Sequence, residues 1–553
     1  MPFNAAVHLV LIETAGNQRF IFDTNKLREN IGASELVCRA GVDYVLAAVA
    51  KVTGRPPLSV DDLGKPALNP PIEDGAAPVE VVAAASGKAI VLVRDPAVGR
   101  RLVTEVTMTA LVEAPGLAVR GVVSEAAIPF TSAQEVHDEL TRLIHRHEAL
   151  GGTLPAPELR FPGLPVTAPC VRSGLPAEEI TKEEGEALSA VSLAKQSAKK
   201  DGWQRIQDTL NNTIVDRREP LRFYEDVTAL DNGGVSLNWV GLIHADGNGL
   251  GQVFLNFAVY TGKTARCYVE TYRSFSRALD RCTVRAFRRA LDGIAERNAA
   301  AGKGDAPLPV VPLVLGGDDL TVLCDGRIAI RLTAAFLRFF ADETAACPDV
   351  TRVVGSGGLG ACAGVALVKP AFPFHAGYQL AEDLLRSAKQ GKTVLGGGAY
   401  TALDFHVLYD SADADLRRIR RLATRDGKGR LTVRPYVVTA PPGDALDDGA
   451  RAWLAPRRWV WLEEAMAVMP PGDDRLPNSV LHHLREAAHE GPGVAHARLN
   501  AVLGRERQDA PSRARQAWPK LVGSGDGTSL FVDTPEGPAI RLLDALDLVG
   551  FWR

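Results

Sequence analysis

The chain has 553 residues, enough for roughly three to four domains, and a composition of 46% hydrophobic and 23% charged residues that is ordinary for a globular protein. A formal net charge of −3 argues against a surface coated with basic residues for nonspecific nucleic-acid binding. No apolar run could span a bilayer, and residues 1–17 lack the basic start and apolar middle of a signal peptide. We therefore expect a cytoplasmic protein without a membrane partner.

The first 150 residues predict the order strand, helix, hairpin, helix, strand, helix. The predicted elements lie at 5–12, 34–52, 79–94, 96–112, 116–123 and 132–148. Ser34 is the predicted N-cap of the first helix, and the prolines within residues 55–78 predict a loop. The region is expected to form the first domain, residues 1–150.

A linker and helical segment is predicted at residues 151–230. It begins with a second proline-rich stretch, 153–176, and continues as a polar helical segment, 177–212. The seven cysteines are scattered along the chain without a CxxC pair, and only Cys170 lies in this linker. We therefore expect reduced, mostly buried thiols and no zinc site or disulfide framework.

The order of elements repeats in residues 231–415. The predicted elements lie at 237–244, 265–298, 309–325, 327–345, 358–368 and 376–391. Two βαββαβ units indicate an α+β protein with an internally duplicated, ferredoxin-like palm domain. Residues 416–553 are expected to form a C-terminal helical domain with buried tryptophans, namely Trp453, Trp459, Trp461 and Trp518.

The hairpin at 309–325 carries Gly316-Gly317-Asp318-Asp319 in its turn. Adjacent carboxylates at a strand end repel each other unless a cation neutralises them, and carboxylate oxygens select Mg²⁺ or Mn²⁺. The two glycines allow the backbone to approach a polyphosphate. A solvated Gly/Asp turn is the alternative.

A further carboxylate, Asp246, ends a short apolar strand and is followed by a glycine-rich turn whose backbone could line a phosphate, at Gly247, Asn248 and Gly249. Together with Asp318 and Asp319, it forms the set that two-metal phosphoryl transfer needs, with one ion at the attacking 3′-hydroxyl and one at the leaving pyrophosphate. The first repeat has Ser86-Gly87-Lys88 at its hairpin tip instead. The first palm is therefore predicted to be degenerate and metal-free, and the second catalytic.

Four segments resemble a known family. They are IFDTNKLRENIGASEL (21–36), HADGNGLG (244–251), LVLGGDDLTVL (313–323) and AGVALVKPAFPFHAGYQLAEDLLRSAK (363–389). Together with the order of the elements between them, these segments resemble the large palm-domain subunit of type III CRISPR effector complexes, the CRISPR polymerase family. The resemblance covers most of residues 1–410 and is closest to the Cmr-type branch of the family. The resemblance implies an ATP-dependent synthase of cyclic oligoadenylate, a second messenger of antiviral defence. It also implies two Mg²⁺ or Mn²⁺ ions, with guide RNA and backbone subunits as partners.

The resemblance also implies roles for individual residues. Asp246, Asp318 and Asp319 match the metal carboxylates, and Lys389 matches a lysine that reaches the triphosphate, although a solvated helix lysine is the alternative. Ser274 is expected near a helix start, facing the base or acting as a cap, and the same holds for Ser276.

The loop 23–35 of the first palm is a candidate wall for the acceptor nucleotide. Its candidate residues are Asn25, Lys26, Arg28, Gly32 and Ser34. A palm that has lost its metal ligands can still bind an acceptor nucleotide with its hydroxyl in line for attack on the donor triphosphate.

The family often begins with an HD nuclease domain, which we do not expect here. His137-Asp138, with His145 and His147, is predicted to be a solvated helix face. The arginine-rich stretch 415–435 predicts a surface for RNA or an acidic partner, or a solvated helix. The histidines near the C-terminus are expected on the surface, at His482, His483, His489 and His496.

Three rival functions remain open. A diguanylate-cyclase-type enzyme shares the palm, but normally has Glu-Phe where this chain has Asp319-Leu320. A template-directed polymerase would want a long basic channel, which the net charge of −3 does not favour. A non-enzymatic scaffold would use the palms only for packing, which the three carboxylates argue against. Comparing ATP with GTP separates the first rival from the cyclic oligoadenylate synthase.

Overall fold

The computed structural model describes residues 6–56, 58–61, 63, 70–74, 77–181, 185–212, 220–224, 238–302, 304, 306–409, 414–422, 424–425, 429–441, 445–469, 478–509 and 529–552. The chain divides into two compact units. The first consists of Met1–Ala229, Gly249–Leu320 and Glu343–Gly358, and the second of Leu230–Asn248, Thr321–Asp342 and Leu359–Arg553. The predicted start of a strand at residue 237, Lys428 of the arginine-rich stretch and Trp518 lie outside the described residues.

The chain is a mixture of strands and helices, as the α+β class requires. The strands are β1 (Ala6–Ala15), β2 (Val79–Ala85), β3 (Lys88–Val93), β4 (Ala118–Val123), β5 (Ile128–Pro129), β6 (Glu179–Ile180), β7 (Ala187–Leu188), β8 (Val240–Gly247), β9 (Val310–Gly316), β10 (Asp319–Asp325), β11 (Ala361–Val368), β12 (Thr401–Val407), β13 (Thr424–Arg425), β14 (Gly429–Arg430), β15 (Tyr436–Thr439), β16 (Phe531–Val532) and β17 (Ala539–Ile540).

The helices fall between these strands in both units. They are α1 (Asn17–Phe22), α2 (Leu27–Gly41), α3 (Asp43–Thr53), α4 (Pro96–Glu113), α5 (Ala133–Thr153), α6 (Ala190–Asn212), α7 (Leu250–Leu255), α8 (Ala265–Ala300), α9 (Gly326–Ala346), α10 (Pro348–Val354), α11 (Phe374–Ala388), α12 (Gly391–Leu395), α13 (Leu416–Leu422), α14 (Asp448–Leu454), α15 (Trp459–Val468), α16 (Asn478–Glu490), α17 (Pro492–Asp509) and α18 (Leu542–Leu548).

The first unit contains an antiparallel sheet in the order β2-β3-β1-β4, with β5 beside β1. β1 is central, so Val10 lies opposite both Val91 of β3 and Val123 of β4. Its residues 7–12 are all buried, and helices α2, α4 and α5 pack against this strand. The predicted order of strand, helix, hairpin, helix, strand and helix is confirmed for this region.

The predicted helix 34–52 is wrong in its bounds, because the segment forms two helices, α2 and α3, that meet at Val42. Ser34 is therefore inside α2 and caps nothing. The break follows from a close contact, since a Cβ atom on Gly41 would lie 2.0 Å from the carbonyl oxygen of Ala85. The end of β2 thus lies directly against the chain at the helix junction.

The predicted acceptor loop 23–35 is also largely helical, because α2 begins at Leu27. Helix α6 packs on α2 so closely that a Cβ atom on Gly32 would lie 1.6 Å from the carbonyl oxygen of Lys195. Gly32 therefore contacts α6 and cannot line an open wall, which corrects that part of the prediction. The helix predicted from residue 177 begins only at Ala190, because the short hairpin β6–β7 precedes it.

Helix α8 packs against β2 and α5 in the first unit. Glu80 of β2 is fully buried and accepts hydrogen bonds from Arg266 and Arg273 of α8, at 2.8 and 2.7 Å. Burial alone would raise the pKa of Glu80, but these two hydrogen bonds lower it overall. The first repeat is thus tied to α8 by a buried carboxylate that stays charged.

The predicted solvated face of α5 is wrong for two of its histidines. His137 is buried, with Nε2 3.2 Å from the carbonyl oxygen of Leu255, and His147 is buried as well. Asp138 and His145 are exposed, as predicted. The contact of α5 with α8, which the sequence pattern of α5 does not reveal, accounts for the burial of His137.

The second unit contains β15, β12, β11 and β8 side by side, with β10 next to β8. β11 is antiparallel to β8, so Cys362 lies opposite Asp246, and it is parallel to β12. α11 packs against β11 and β8. Along the chain, β8, α8, β9, β10, α9, β11 and α11 follow in the predicted order. The last predicted helix, 376–391, corresponds to α11, which ends at Ala388, three residues before the predicted end.

The region from residue 416 to the end contains strands as well as the predicted helices. β15 joins β12, and the short strands β13, β14, β17 and β16 form a separate small sheet. Strands of two residues have no detectable alternation, so the sequence pattern could not predict them. The tryptophans are buried as expected at Trp453, Trp459 and Trp461, and the four histidines of this region are exposed.

The arginine-rich stretch is in part structural. Arg434 is buried and bound to Asp544, with its Nε 2.9 Å from the carboxylate, and Arg420 donates to Asp404 at 2.5 Å. Neither guanidinium is available to a nucleic acid. All seven cysteines are free thiols. Among the described helices, none combines the length and the apolar character needed to cross a bilayer.

Candidate active site

The turn between β9 and β10 is formed by Gly317 and Asp318. Gly317 has a φ of 64°, in the left-handed region that favours glycine. Apart from its two chain neighbours, none of the described residues has an atom within 4 Å of a Cβ built on Gly317. One side of the turn is therefore open, and a ligand could approach the backbone there.

Two side chains of α8 hold the other side of this turn. Asp280 Oδ1 accepts a hydrogen bond from the Gly317 N–H at 2.7 Å, and Thr283 Oγ1 donates to the Gly317 carbonyl oxygen at 2.6 Å. Both side chains are buried. Sequence reasoning missed them, although two polar residues three positions apart on the buried face of an amphipathic helix are a usable signal.

The adjacent carboxylates Asp318 and Asp319 repel each other. Asp319 is itself exposed, yet the protein around it reduces its solvation, and this effect together with the charge of Asp318 raises the pKa of Asp319 above its usual range. A cation at the turn would relieve both effects. This is the electrostatic behaviour expected of a pair of metal-binding carboxylates.

In the second unit, the structure brings Asp246, Gly247 and Lys389 together. Asp246 stands at the end of β8 and forms an ion pair with Lys389, the residue that follows α11. Lys389 Nζ also lies 3.4 Å from the Gly247 carbonyl oxygen. Loss of solvation, with Lys392 nearby, lowers the pKa of Lys389 to about 8, so the ammonium still carries its charge at neutral pH.

Asn248 is buried and holds the loop after β8 in place. Its side chain donates to the Tyr400 carbonyl oxygen at 2.7 Å, and its backbone N–H donates to the Gly360 carbonyl oxygen at 2.9 Å. Gly249 follows with a φ of 79° and precedes α7. The amide of Asn248 thus supports the shape of this glycine-rich turn.

Ser274 and Ser276 lie well inside α8, whose N-cap is Thr264, so the alternative that they cap the helix is wrong. Ser274 Oγ donates to the Thr271 carbonyl oxygen at 3.2 Å. Ser276 lines a cavity of about 450 Å³ in the first unit, part of it open to solvent. The rest of its lining includes residues 81–85 of β2, and Gly317.

A second cavity of the first unit, of about 600 Å³ and also partly open, is lined by both hairpin tips. Ser86 comes from the first repeat and Gly316 from the second, and the polar lining also includes Ser34, Arg205, Thr209 and Asp280. Asp280 lines both cavities. The first repeat therefore contributes to the space beside the Gly316–Asp319 turn.

The donor chemistry of this turn fits a divalent cation, because two adjacent carboxylates lie on an open turn and the pKa of one of them is raised. Within the described part of the chain, no three His, Cys, Asp or Glu side chains are close enough together to hold a metal ion. The third predicted ligand, Asp246, is paired with Lys389 instead.

Neither a protein-family model nor a curated protein matches this sequence. Among solved structures, the chain is similar to a Csm1-Csm4 cassette in complex with cA4, at 14% identity and a TM-score of 0.47, covering 88% of this chain and 62% of that one. It is also similar to a cassette in complex with cA3, at 11% identity and a TM-score of 0.45, covering 92% and 64%.

A third similar structure is the Csm1-Csm4 subcomplex of the type III-A CRISPR-Csm interference complex, at 13% identity and a TM-score of 0.45, covering 91% of this chain and 64% of that one. The chain thus spans less than two thirds of the length of these solved chains.

Proposed function

We propose that this chain is a metal-dependent nucleotidyltransferase that joins ATP into cyclic oligoadenylate in CRISPR-type antiviral defence. The observation that supports it most strongly is the Gly316–Asp319 turn. It presents two adjacent carboxylates on an open, left-handed glycine turn, and buried side chains of α8 hold its inner side. A solvent-exposed Gly/Asp turn without a ligand would not require two buried polar side chains to hold it.

Asp318 and Asp319, with Asp246, are the residues that would hold two Mg²⁺ or Mn²⁺ ions. When bound, such ions activate a 3′-hydroxyl and neutralise a leaving pyrophosphate. Lys389 is proposed to neutralise triphosphate charge, a role supported by its charged state at neutral pH. The backbone of Gly247, Gly249, Gly316 and Gly317 is proposed to lie beside phosphates, because glycines permit close approach.

The acceptor nucleotide is proposed to bind beside the first palm. The two cavities that reach the Gly316–Asp319 turn are lined by β2 and by Ser86 of the first repeat, which supports this division of labour. Ser274 of α8 is proposed to face the base of the bound nucleotide. The same proposal includes domain boundaries at residues 150, 230 and 415. The second palm, residues 231–415, is proposed to be the catalytic one.

The motif resemblance supports a place for this chain as the large palm subunit of a type III effector complex, in the Cmr-type branch. Its partners would then be ATP, guide RNA and backbone subunits. The side chains of Arg417 and Arg421 in α13 are exposed and are the proposed contacts for such a partner, whereas Arg420 and Arg434 are engaged within the fold.

The test is to incubate the purified full chain with Mn²⁺ and either ATP or GTP, and to identify the products by mass spectrometry. We expect cyclic oligoadenylate from ATP, and none from an Asp318→Ala variant. A cyclic dinucleotide from GTP alone would favour the diguanylate-cyclase reading. No joined product from either nucleotide, with or without the guide-RNA complex, would favour the scaffold.

A further inference from the structure

One turn of α8 contacts the Gly316–Asp319 turn from its buried side. Asp280 and Thr283 bind the backbone N–H and the backbone carbonyl of the same residue, Gly317, at 2.7 and 2.6 Å. These two groups belong to the peptide planes before and after Gly317. Fixing both planes fixes the direction in which the chain enters Asp318.

Both contacts are made inside the protein, where a hydrogen bond is strong and an unmade one is costly. Asp280 is 5% exposed and Thr283 is fully buried. Thr283 Oγ1 also lies 3.1 Å from the Leu279 carbonyl oxygen of its own helix, a common back-bond for a helical threonine. The contact to Gly317 is shorter, and one hydroxyl proton serves one acceptor at a time.

The open side of the turn makes this support necessary. No described residue beyond the two chain neighbours lies within 4 Å of a Cβ position on Gly317, so van der Waals packing by the described part of the chain does not fix the turn on that side. Adjacent carboxylates at Asp318 and Asp319 repel each other and favour distortion of the turn in the absence of a cation. The hydrogen bonds from α8 oppose that distortion.

We infer that Asp280 and Thr283 are positioning residues that hold the Gly317–Asp318 peptide, and thereby the carboxylates of Asp318 and Asp319, in place for Mg²⁺ or Mn²⁺ binding. The inference rests on the proposed function, since it assumes that this turn binds Mg²⁺ or Mn²⁺. Asp280 and Thr283 act through the backbone of Gly317 and do not touch the cation.

The test measures Mn²⁺ binding to the full chain without nucleotide, from the electron paramagnetic resonance signal of free Mn²⁺. Thr283→Val removes the hydroxyl and keeps the shape, and we expect about tenfold weaker Mn²⁺ binding, the loss of one buried hydrogen bond. Thr283→Ser keeps the hydroxyl and should bind within about twofold of the parent. Asp280→Asn keeps an oxygen that accepts a hydrogen bond from the Gly317 N–H. It should therefore weaken Mn²⁺ binding less than Thr283→Val does.

Thr333→Val is the matched control, because Thr333 is a buried helical threonine whose Oγ1 donates to the Ala329 carbonyl oxygen of its own helix at 2.7 Å and has no other acceptor among the described residues. It should lower the melting temperature about as much as Thr283→Val and leave Mn²⁺ binding unchanged. With ATP present, Thr283→Val should lower kcat more than it raises KM, because positioning acts on the reacting geometry. Thr283→Ala removes the same hydroxyl and replaces the valine variant if that variant does not fold.

Two results separate this inference from the proposed function. Parent-like Mn²⁺ binding in folded Thr283→Val or Thr283→Ala, together with loss of binding in Asp318→Ala, overturns the positioning role alone. Unchanged Mn²⁺ binding in Asp318→Ala overturns the metal site itself. Equal losses in Thr283→Val and Thr333→Val would show a general effect of a buried hydroxyl and would also overturn the inference.

Discussion

The two repeats use the same hairpin turn in opposite ways. Gly87 and Gly317 both adopt the left-handed conformation, with φ of 73° and 64°. A Cβ atom on Gly87 would lie 2.3 Å from Thr14 Oγ1, whereas one on Gly317 would have no atom of the described chain within 4 Å except those of its two neighbours. The first turn is closed against the protein, and the second is open.

The groups that hold the two turns also differ. The Gly87 carbonyl oxygen accepts from the Thr14 backbone N–H at 2.7 Å and from Thr14 Oγ1 of the same strand at 3.1 Å, and the Gly87 N–H donates to the Val37 carbonyl oxygen at 3.1 Å. Gly317 is held instead by side chains of α8. Backbone contacts require close packing of the turn, whereas side chains reach it from one side and leave the other free. A duplicated hairpin can thus serve packing in one copy and ligand presentation in the other.

The largest expected effect is that of Asp318→Ala in the open turn. We expect the rate of nucleotide joining to fall by at least about 1,000-fold, because the loss of a metal ligand removes several kcal/mol of transition-state stabilisation. The melting temperature should stay the same or rise slightly, since repulsion from Asp319 is relieved. The measurement is product formation with saturating ATP and Mn²⁺, and full activity in this variant would refute the assignment of the second turn.

A pair of glycine variants tests the closed and open turns directly. Gly87→Ala should lower the free energy of unfolding by roughly 2–4 kcal/mol, from left-handed strain plus the clash with Thr14. Gly317→Ala should lower it by only about 1 kcal/mol, from the strain alone. Urea unfolding followed by circular dichroism measures both values. Equal losses would mean that the two turns do not differ in packing.

The two repeats should also differ in how their buried histidines make the free energy of unfolding depend on pH. Burial, followed by the charges of Arg434 and Arg420, lowers the pKa of His406 in β12 to about 3. Above pH 6.5 the histidine is neutral in both the folded and the unfolded protein. Below pH 6.5 the unfolded protein takes up the proton first. The free energy of unfolding therefore falls as the pH falls. Between pH 6.5 and 5 the expected loss is roughly 2 kcal/mol.

His406→Gln should remove this loss, and His375→Gln, at an exposed histidine of the same unit, should not. Burial also lowers the pKa of His147 in the first unit, but Glu13 opposes the shift. His147→Gln should therefore change the pH dependence less than His406→Gln. Unfolding titrations at pH 5, 6 and 7 provide the comparison, and an unchanged slope in His406→Gln would contradict it.

The smallest effect is expected for Lys88→Met, next to the closed turn. Lys88 pairs with Glu13 at 3.5 Å, and both side chains are about one third exposed, so the pair contributes less than about 0.5 kcal/mol. Nucleotide joining should be unchanged. A clear loss of product at unchanged stability would show that the first turn takes part in the chemistry, and would break the comparison.

The strands and the hairpin tips could be predicted because they depend on local patterns. Apolar runs around Gly87 and around Gly317 indicate hairpins whatever surrounds them. The burial of His137 and the break between α2 and α3 depend on contacts with elements far away in the chain, here α8 and the end of β2. Such contacts leave no periodic signal at the residue concerned, and both predictions were wrong for that reason.

The sequence by itself determined the order of the elements, the glycine turns and the position of the carboxylates at strand ends, because these follow from side-chain periodicity and backbone freedom over a few residues. Only the tertiary structure decided that Gly87 is enclosed and Gly317 open, that Asp280 and Thr283 hold the second turn, and that Lys389 pairs with Asp246. These properties depend on which distant side chains meet, and close packing, unlike local propensity, is a property of the whole fold.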